Sequence, residues 1–290
     1  MSAIASADIK YKAWTLLEGL CRLAFGRSNY HLFFLFVAAF ECILFVHVFR
    51  REAIDYTIAC FFFFAAGYYY NNFSMMRQWL AVSIVFTSIG ALRDRKFFKY
   101  ALICFIGGLF HPSAWLCIPI YFLVEMEPWS PKQLGIAVLF AVGMLFMNPI
   151  LSTLNTEDAV YSDVLTAMAG DNGSSIIRVF IAAVPVALAY FGRTGKENAT
   201  FKVCLNLSIV NTMLNLLAAF TSGLYVIRFT TYISIFNVIL YPYLLDVNWK
   251  NNKNIKIAFY VLYLAYFIYA TSHQGAWGYK RDVLTLLTNY

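Results

Sequence analysis

Three arginines and one histidine in this chain call for a chemical explanation. Arg77, Arg178 and Arg228 each fall near one end of a long apolar run. A guanidinium there needs either an anionic partner or a path to lipid headgroups. Guanidinium forks gathered at one depth suit a phosphate or pyrophosphate, which arginine grips through two parallel hydrogen bonds; snorkelling to headgroups is the alternative for each. Gln78 follows Arg77 directly, and Tyr225 and Tyr232 flank Arg228, polar company that a lipid-facing cation would not need. His111 stands between a run ending Gly107-Gly108-Leu109-Phe110 and Pro112. It either caps a helix end or takes part in catalysis or substrate binding. The carboxylates available as a general base are Asp158, Asp163 and Asp171, in the segment 152–174, which reads equally as a solvated acidic loop. The candidate catalytic residues are therefore His111, Asp163 and Asp171. The candidate substrate-binding residues are Arg77, Gln78, Arg178, Tyr225, Arg228 and Tyr232.

Other polar residues in apolar surroundings are open to two readings. Glu41 pairs with a neighbouring helix or couples to protons. Asn206, Asn211 and Asn215 form a polar stripe that suits interhelical hydrogen bonds as readily as sugar binding. His111 has no Cys, Asp or second His at ligand spacing, so neither a metal nor another cofactor is expected. The six cysteines form no CxxC pair and read as small core hydrophobes. A Walker loop, GxGxxG, HExxH, GxSxG and a DxD pair are all absent from the sequence. ATP and sugar-nucleotide chemistry lose support accordingly.

The elements that must position these residues follow from composition. Of 290 residues 61% are hydrophobic and only 13% charged, with a mean hydropathy of +0.65. A soluble domain carries about 25% charged residues, so the expected class is an all-α, polytopic integral membrane helix bundle. Apolar runs at 31–49, 54–70, 75–92, 132–151, 175–192, 201–220, 227–245 and 255–271 are long enough to cross or nearly cross a hydrocarbon core of about 30 Å. The stretch 97–124 would be about 42 Å as one helix at 1.5 Å per residue, and Pro112 interrupts it. A Pro-broken helical hairpin is expected there, making about nine to ten membrane segments in all.

Charge sets the orientation. The 22 Lys and Arg outnumber the 15 Asp and Glu. The basic clusters at 50–51, 93–99, 193–202 and 250–256 all belong inside by the positive-inside rule, and the excess does not imply nucleic acid. The acidic loop 152–174, His111 and the tail 272–290 then lie outside, around one transmembrane domain at 31–271. Residues 1–30 fall outside too, despite Lys10, Lys12, Arg22 and Arg27, and a missing upstream span would resolve that. No cleavable signal peptide is expected. Within 1–30, the stripe Trp14, Leu17, Leu20, Cys21 and Ala24 suits a membrane surface or other helices.

The runs RQWLA at Arg77, FHPSA at His111 and RFTTY at Arg228 resemble the EpsG/Wzy-type bacterial polysaccharide polymerases, with their RQ-x-x-A helix start, FH-x-S-A break and late R-x-x-x-Y span. The resemblance covers most of the chain. One departure is the absence of an acidic residue around Tyr11 to Trp14. The resemblance implies an inner-membrane glycosyltransferase with its active face outward, joining polyprenyl-pyrophosphate-linked oligosaccharide repeat units into O-antigen, capsule or exopolysaccharide. It implies that Arg77, Gln78, His111, Ser113, Arg228 and Tyr232 serve the site, with membrane lipid, flippase and chain-length regulator proteins as partners. A transporter or flippase of lipid-linked glycan, and another membrane transferase such as an acyltransferase using His111, are the rivals.

Overall fold

The computed structural model describes residues 12–26, 30–154, 176–192, 195, 198–219 and 224–273. Asp158, Asp163 and Asp171 lie outside the described residues, as does the side chain of Tyr225. Every regular element among the described residues is helical. Helix α1, Lys12–Phe25, packs on α2, Tyr30–Glu52, where the Trp14 and Phe33 rings meet edge-on at 5.2 Å. Cys21 of the expected stripe is buried, while Leu20 and its neighbour Leu23 point outward. The helix therefore has apolar residues on both sides, a pattern that fits the boundary of headgroups and acyl chains.

The expected span 54–70 is split. Asp55 caps α3, Tyr56–Ala65, by accepting the Ile58 N–H at 2.9 Å. The chain then turns at Gly67, whose φ of +80° places it in the left-handed region, before α4, Tyr68–Ser74. The span 75–92 is also interrupted, into α5, Met76–Phe86, and α6, Ile89–Arg93. There Thr87 Oγ1 donates to the Ile84 carbonyl at 2.7 Å, the kind of back-bonding that bends helices.

The hairpin expected at 97–124 is present. Helix α7, Phe97–Phe110, gives way at His111 to a 3₁₀ turn, Pro112–Cys117, and then to α8, Ile120–Val124. Pro112 supplies no N–H, and its ring holds the preceding residue extended, His111 having φ −148° and ψ 116°. The second half runs back along the first. Tyr100 OH donates to the Cys117 carbonyl at 2.6 Å, Phe97 meets Tyr121 at 5.1 Å, and Trp115 Nε1 donates to the Phe105 carbonyl at 3.2 Å. Gly107 and Gly108 make this close return possible, since a Cβ on Gly108 would fall 1.8 Å from Trp115 Nε1.

Five elements complete the bundle: α9, Pro131–Leu154; α10, Ile176–Phe191; α11, Ala199–Ala219; α12, Leu224–Ser234; and α13, Asn237–Tyr243. A π turn at Leu244–Asn248 leads to α14, Lys253–His273. Helix α11 is the centre, with apolar residues buried all round and α10, α12, α13 and α9 packed on it. The bundle's outer surface carries Phe98, Leu139, Ile176 and Phe191 more than two-thirds exposed, a surface that needs lipid rather than water. Three described helices, His31–Glu52, Ala199–Ala219 and Lys253–Ser272, are long and apolar enough to cross a membrane alone. The expected spans 54–70, 75–92 and 227–245 are each divided into two helices by a turn. Those turns bring polar residues into the interior.

Candidate active site

Each of the three unexplained arginines lies in the first two turns of its helix: Arg77 in α5, Arg178 in α10 and Arg228 in α12. Cations gain nothing from a helix N-terminus, whose free N–H groups already carry partial positive charge. Their placement concentrates positive potential instead of relieving it.

Gln78 joins two of these helices. Its Nε2 donates to the Arg228 carbonyl at 2.6 Å and to Thr231 Oγ1 at 3.1 Å, and Thr231 Oγ1 donates in turn to the Arg228 carbonyl at 2.7 Å. The start of α5 is thereby fixed against α12. Arg77 is exposed and Arg228 half-buried, and the 3₁₀ turn that follows His111 packs on both of their helices. The hairpin tip, α5 and α12 thus meet at one place.

At the tip His111 Nδ1 lies 2.6 Å from Ser113 Oγ, and Ser113 Oγ donates to the Tyr232 phenol oxygen at 3.0 Å. Tyr232 OH is also 3.5 Å from His111 Nδ1. When Ser113 donates to Tyr232, the tautomer that completes the chain has its hydrogen on His111 Nδ1 toward Ser113 and a lone pair on Nε2. The imidazole is then arranged as a proton acceptor whose orientation is set by two hydroxyls. Tyr232 is fully buried, so it acts on the ring and not on solvent.

Arg178 and Arg228 line one half-open cavity of about 530 Å³. Asn211 and Asn215 line it as well, and no Asp or Glu does so among the described residues. Helix α12 thus belongs both to the surroundings of His111 and to the cavity. The asparagine stripe divides. Asn206 is structural, donating to the carbonyls of Val124 at 2.9 Å and Met126 at 2.6 Å and accepting from Gln133. One carboxylate oxygen of Glu41 accepts from Asn72 Nδ2 at 2.6 Å, and the other is buried without a partner. Of the cysteines, Cys21, Cys104, Cys117 and Cys204 are buried, whereas Cys42 is exposed and Cys60 half-buried.

Sequence reasoning did not single out Thr231, Trp79 or Asn237. The first two are one or three residues from a noted arginine or glutamine. Asn237 is a lone amide in the run IFNVIL, the kind of polar outlier that marks an interior site.

A cationic cavity sunk into an apolar helical bundle defines the class: an integral membrane protein with a polar, positively charged interior. The sequence model of the EpsG family matches residues 10–281, nearly the whole chain. The chain belongs to this family, a family of Wzy-like polysaccharide polymerases. No curated protein and no solved structure matches it.

Proposed function

We propose that the chain polymerises polyprenyl-pyrophosphate-linked oligosaccharide repeat units into a surface polysaccharide, on the outer face of a bacterial inner membrane. The observation that carries this reading is the joining of α5, α12 and the hairpin tip: Gln78 donates to the Arg228 carbonyl and Ser113 to Tyr232, between residues 150 and 119 apart in sequence. A hydroxyl of the acceptor sugar attacks the anomeric carbon of the donor glycan, and the bond from that carbon to the pyrophosphate oxygen breaks. Arg77 and Arg228 stabilise the negative charge that develops on the departing pyrophosphate. His111 Nε2 takes the proton of the attacking hydroxyl, with Ser113 and Tyr232 setting the ring. Asp163 and Asp171 are the alternative bases. Gln78 and Tyr232 serve mainly by holding Arg228 and His111 in place, and Arg178 and Tyr225 bind the glycan. The lipid tail stays in the bilayer throughout. Flippase and chain-length regulator proteins are the partners such an enzyme would require, and the outward orientation rests on the distribution of basic clusters.

The test is Arg228→Ala and Arg228→Lys in cells carrying matched amounts of membrane protein. Lysine keeps the charge and loses the bidentate fork. Both variants should lose long chains and accumulate single repeat units on the lipid carrier. The rate should fall on the order of a hundredfold, equivalent to about 3 kcal/mol of transition-state binding. Chains of normal length from Arg228→Ala would make Arg228 a lipid-facing anchor. Failure of repeat units to reach the outer leaflet would identify a transporter.

A further inference from the structure

The half-open cavity beside Arg228 holds two polar atoms that the protein leaves unsatisfied. Trp79 Nε1 and Asn237 Oδ1 are both buried without a hydrogen-bond partner. Both residues line the cavity, and they are 0% and 2% exposed. Leaving such groups unpaired in an apolar interior costs about 1–3 kcal/mol each, so a partner is to be expected from outside the chain. The two atoms are chemically opposite: the indole N–H can only donate and the amide oxygen can only accept. The Trp79 ring meets Tyr68, another residue of the cavity wall, at 6.2 Å.

A group that accepts from one atom and donates to the other is a hydroxyl, of water or of a ligand that displaces it. Neighbouring hydroxyls in a partly aromatic chamber suit a sugar, whose carbon face packs on part-exposed tyrosines such as Tyr70 and Tyr266. A polyprenyl chain could satisfy neither atom. The volume of about 530 Å³ lies within the usual range for small-molecule sites, about 300–1,000 Å³.

We infer that this cavity is a glycan subsite, in which Trp79 and Asn237 read hydroxyl groups of the sugar nearest the pyrophosphate held by Arg228. This deepens the proposed function and rests on it. Trp79 and Asn237 become specificity determinants: a buried donor and acceptor built for a hydroxyl discriminate strongly against a sugar that lacks it.

The test uses the full chain in lipid nanodiscs and two probes, inorganic pyrophosphate and the lipid-free repeat-unit oligosaccharide released from the carrier by mild acid. Trp79→Phe removes one N–H and keeps an aromatic ring, and Asn237→Leu removes the acceptor at similar size. Each should weaken oligosaccharide binding by roughly three- to tenfold, the range for one net hydrogen bond. Pyrophosphate affinity should not change. Because Trp79→Phe preserves packing, it decides the matter even where Asn237→Leu melts early. Wild-type oligosaccharide affinity in a folded Trp79→Phe protein overturns the subsite and leaves the polymerase reading standing. Wild-type protein that binds neither probe overturns both. A Trp79-dependent affinity for polyprenyl phosphate, with none for oligosaccharide, assigns the cavity to lipid and overturns the inference.

Discussion

Replacing Gly108 by alanine perturbs the hairpin that carries His111 at its most crowded point. In an ordinary helix interior this change stabilises by about 0.5–1 kcal/mol, because glycine loses more backbone entropy on folding. Here the new Cβ would stand 1.8 Å from Trp115 Nε1 and 2.0 Å from Cδ1, where ordinary contact begins at 3.4 Å. The indole must swing away. It then loses its hydrogen bond to the Phe105 carbonyl at 3.2 Å, about 1 kcal/mol. It also loses its stacking on Phe105 at 6.2 Å, about 0.5–1.5 kcal/mol. Overpacking elsewhere in a core costs about 1–3 kcal/mol, but Trp115 is only half-buried and has solvent or lipid to move into. The loss should therefore stay near the low end, with a net destabilisation of about 1–2 kcal/mol. Thermal unfolding of purified protein in detergent, followed by near-ultraviolet circular dichroism, reads this directly. Polymer synthesis should fall as well, since Ser113 sits two residues from the displaced indole. In a Trp115→Ala background the same substitution should become neutral or stabilising, because the obstacle is gone. Gly135→Ala in α9, where a Cβ meets nothing within 4 Å, should be neutral to slightly stabilising. A Gly108→Ala protein melting at or above wild type, or penalties that simply add in the double mutant, would refute the argument.

Two further outcomes follow from particular contacts. Gln78→Leu removes both hydrogen bonds to α12 and leaves the Arg228 guanidinium in place, so the main effect should be a several-fold fall in kcat with little change in KM, measured by in vitro chain synthesis; a wild-type rate would show that Arg228 needs no such positioning. In the turn between α6 and α7, Arg93 Nε and Lys96 Nζ donate to the Asp94 carboxylate at 3.0 and 3.3 Å and hold it below the usual carboxylate range. Its stabilisation is thus full above the unfolded pKa of about 3.9 and is lost as pH falls through the lower folded value; Asp94→Asn should lower the melting temperature slightly at pH 7, leave it unchanged at the acid end and so flatten the profile between them.

The helical, membrane-embedded character was legible in the sequence because it depends on composition and run length. So was the break at His111-Pro112, since a proline that lacks an N–H and constrains its predecessor acts on the chain locally. The arginines at 77, 178 and 228 announced themselves by the cost of charge in apolar surroundings. The turns at Gly67 and Thr87 that divide the expected spans were not foreseen, because mean hydropathy does not register a left-handed glycine or a threonine bonding to its own helix.

What the chain alone could not reveal is which of these residues meet. Asn206, Asn211 and Asn215 share one helix and one residue type, yet packing commits the first to backbone carbonyls near α8 and the other two to the cavity. Gln78, expected on substrate, turns its amide to α12. Arg178 and Arg228 line one cavity although 50 residues apart in sequence, while Gln78 beside Arg77 fixes α5 to the Arg228 carbonyl. Helical periodicity tells which residues share a face, but the partner of that face is set by how helices more than a hundred residues apart pack. That choice depends on fitting side-chain volumes and satisfying buried polar atoms across the whole bundle, which is why the site emerges only in three dimensions.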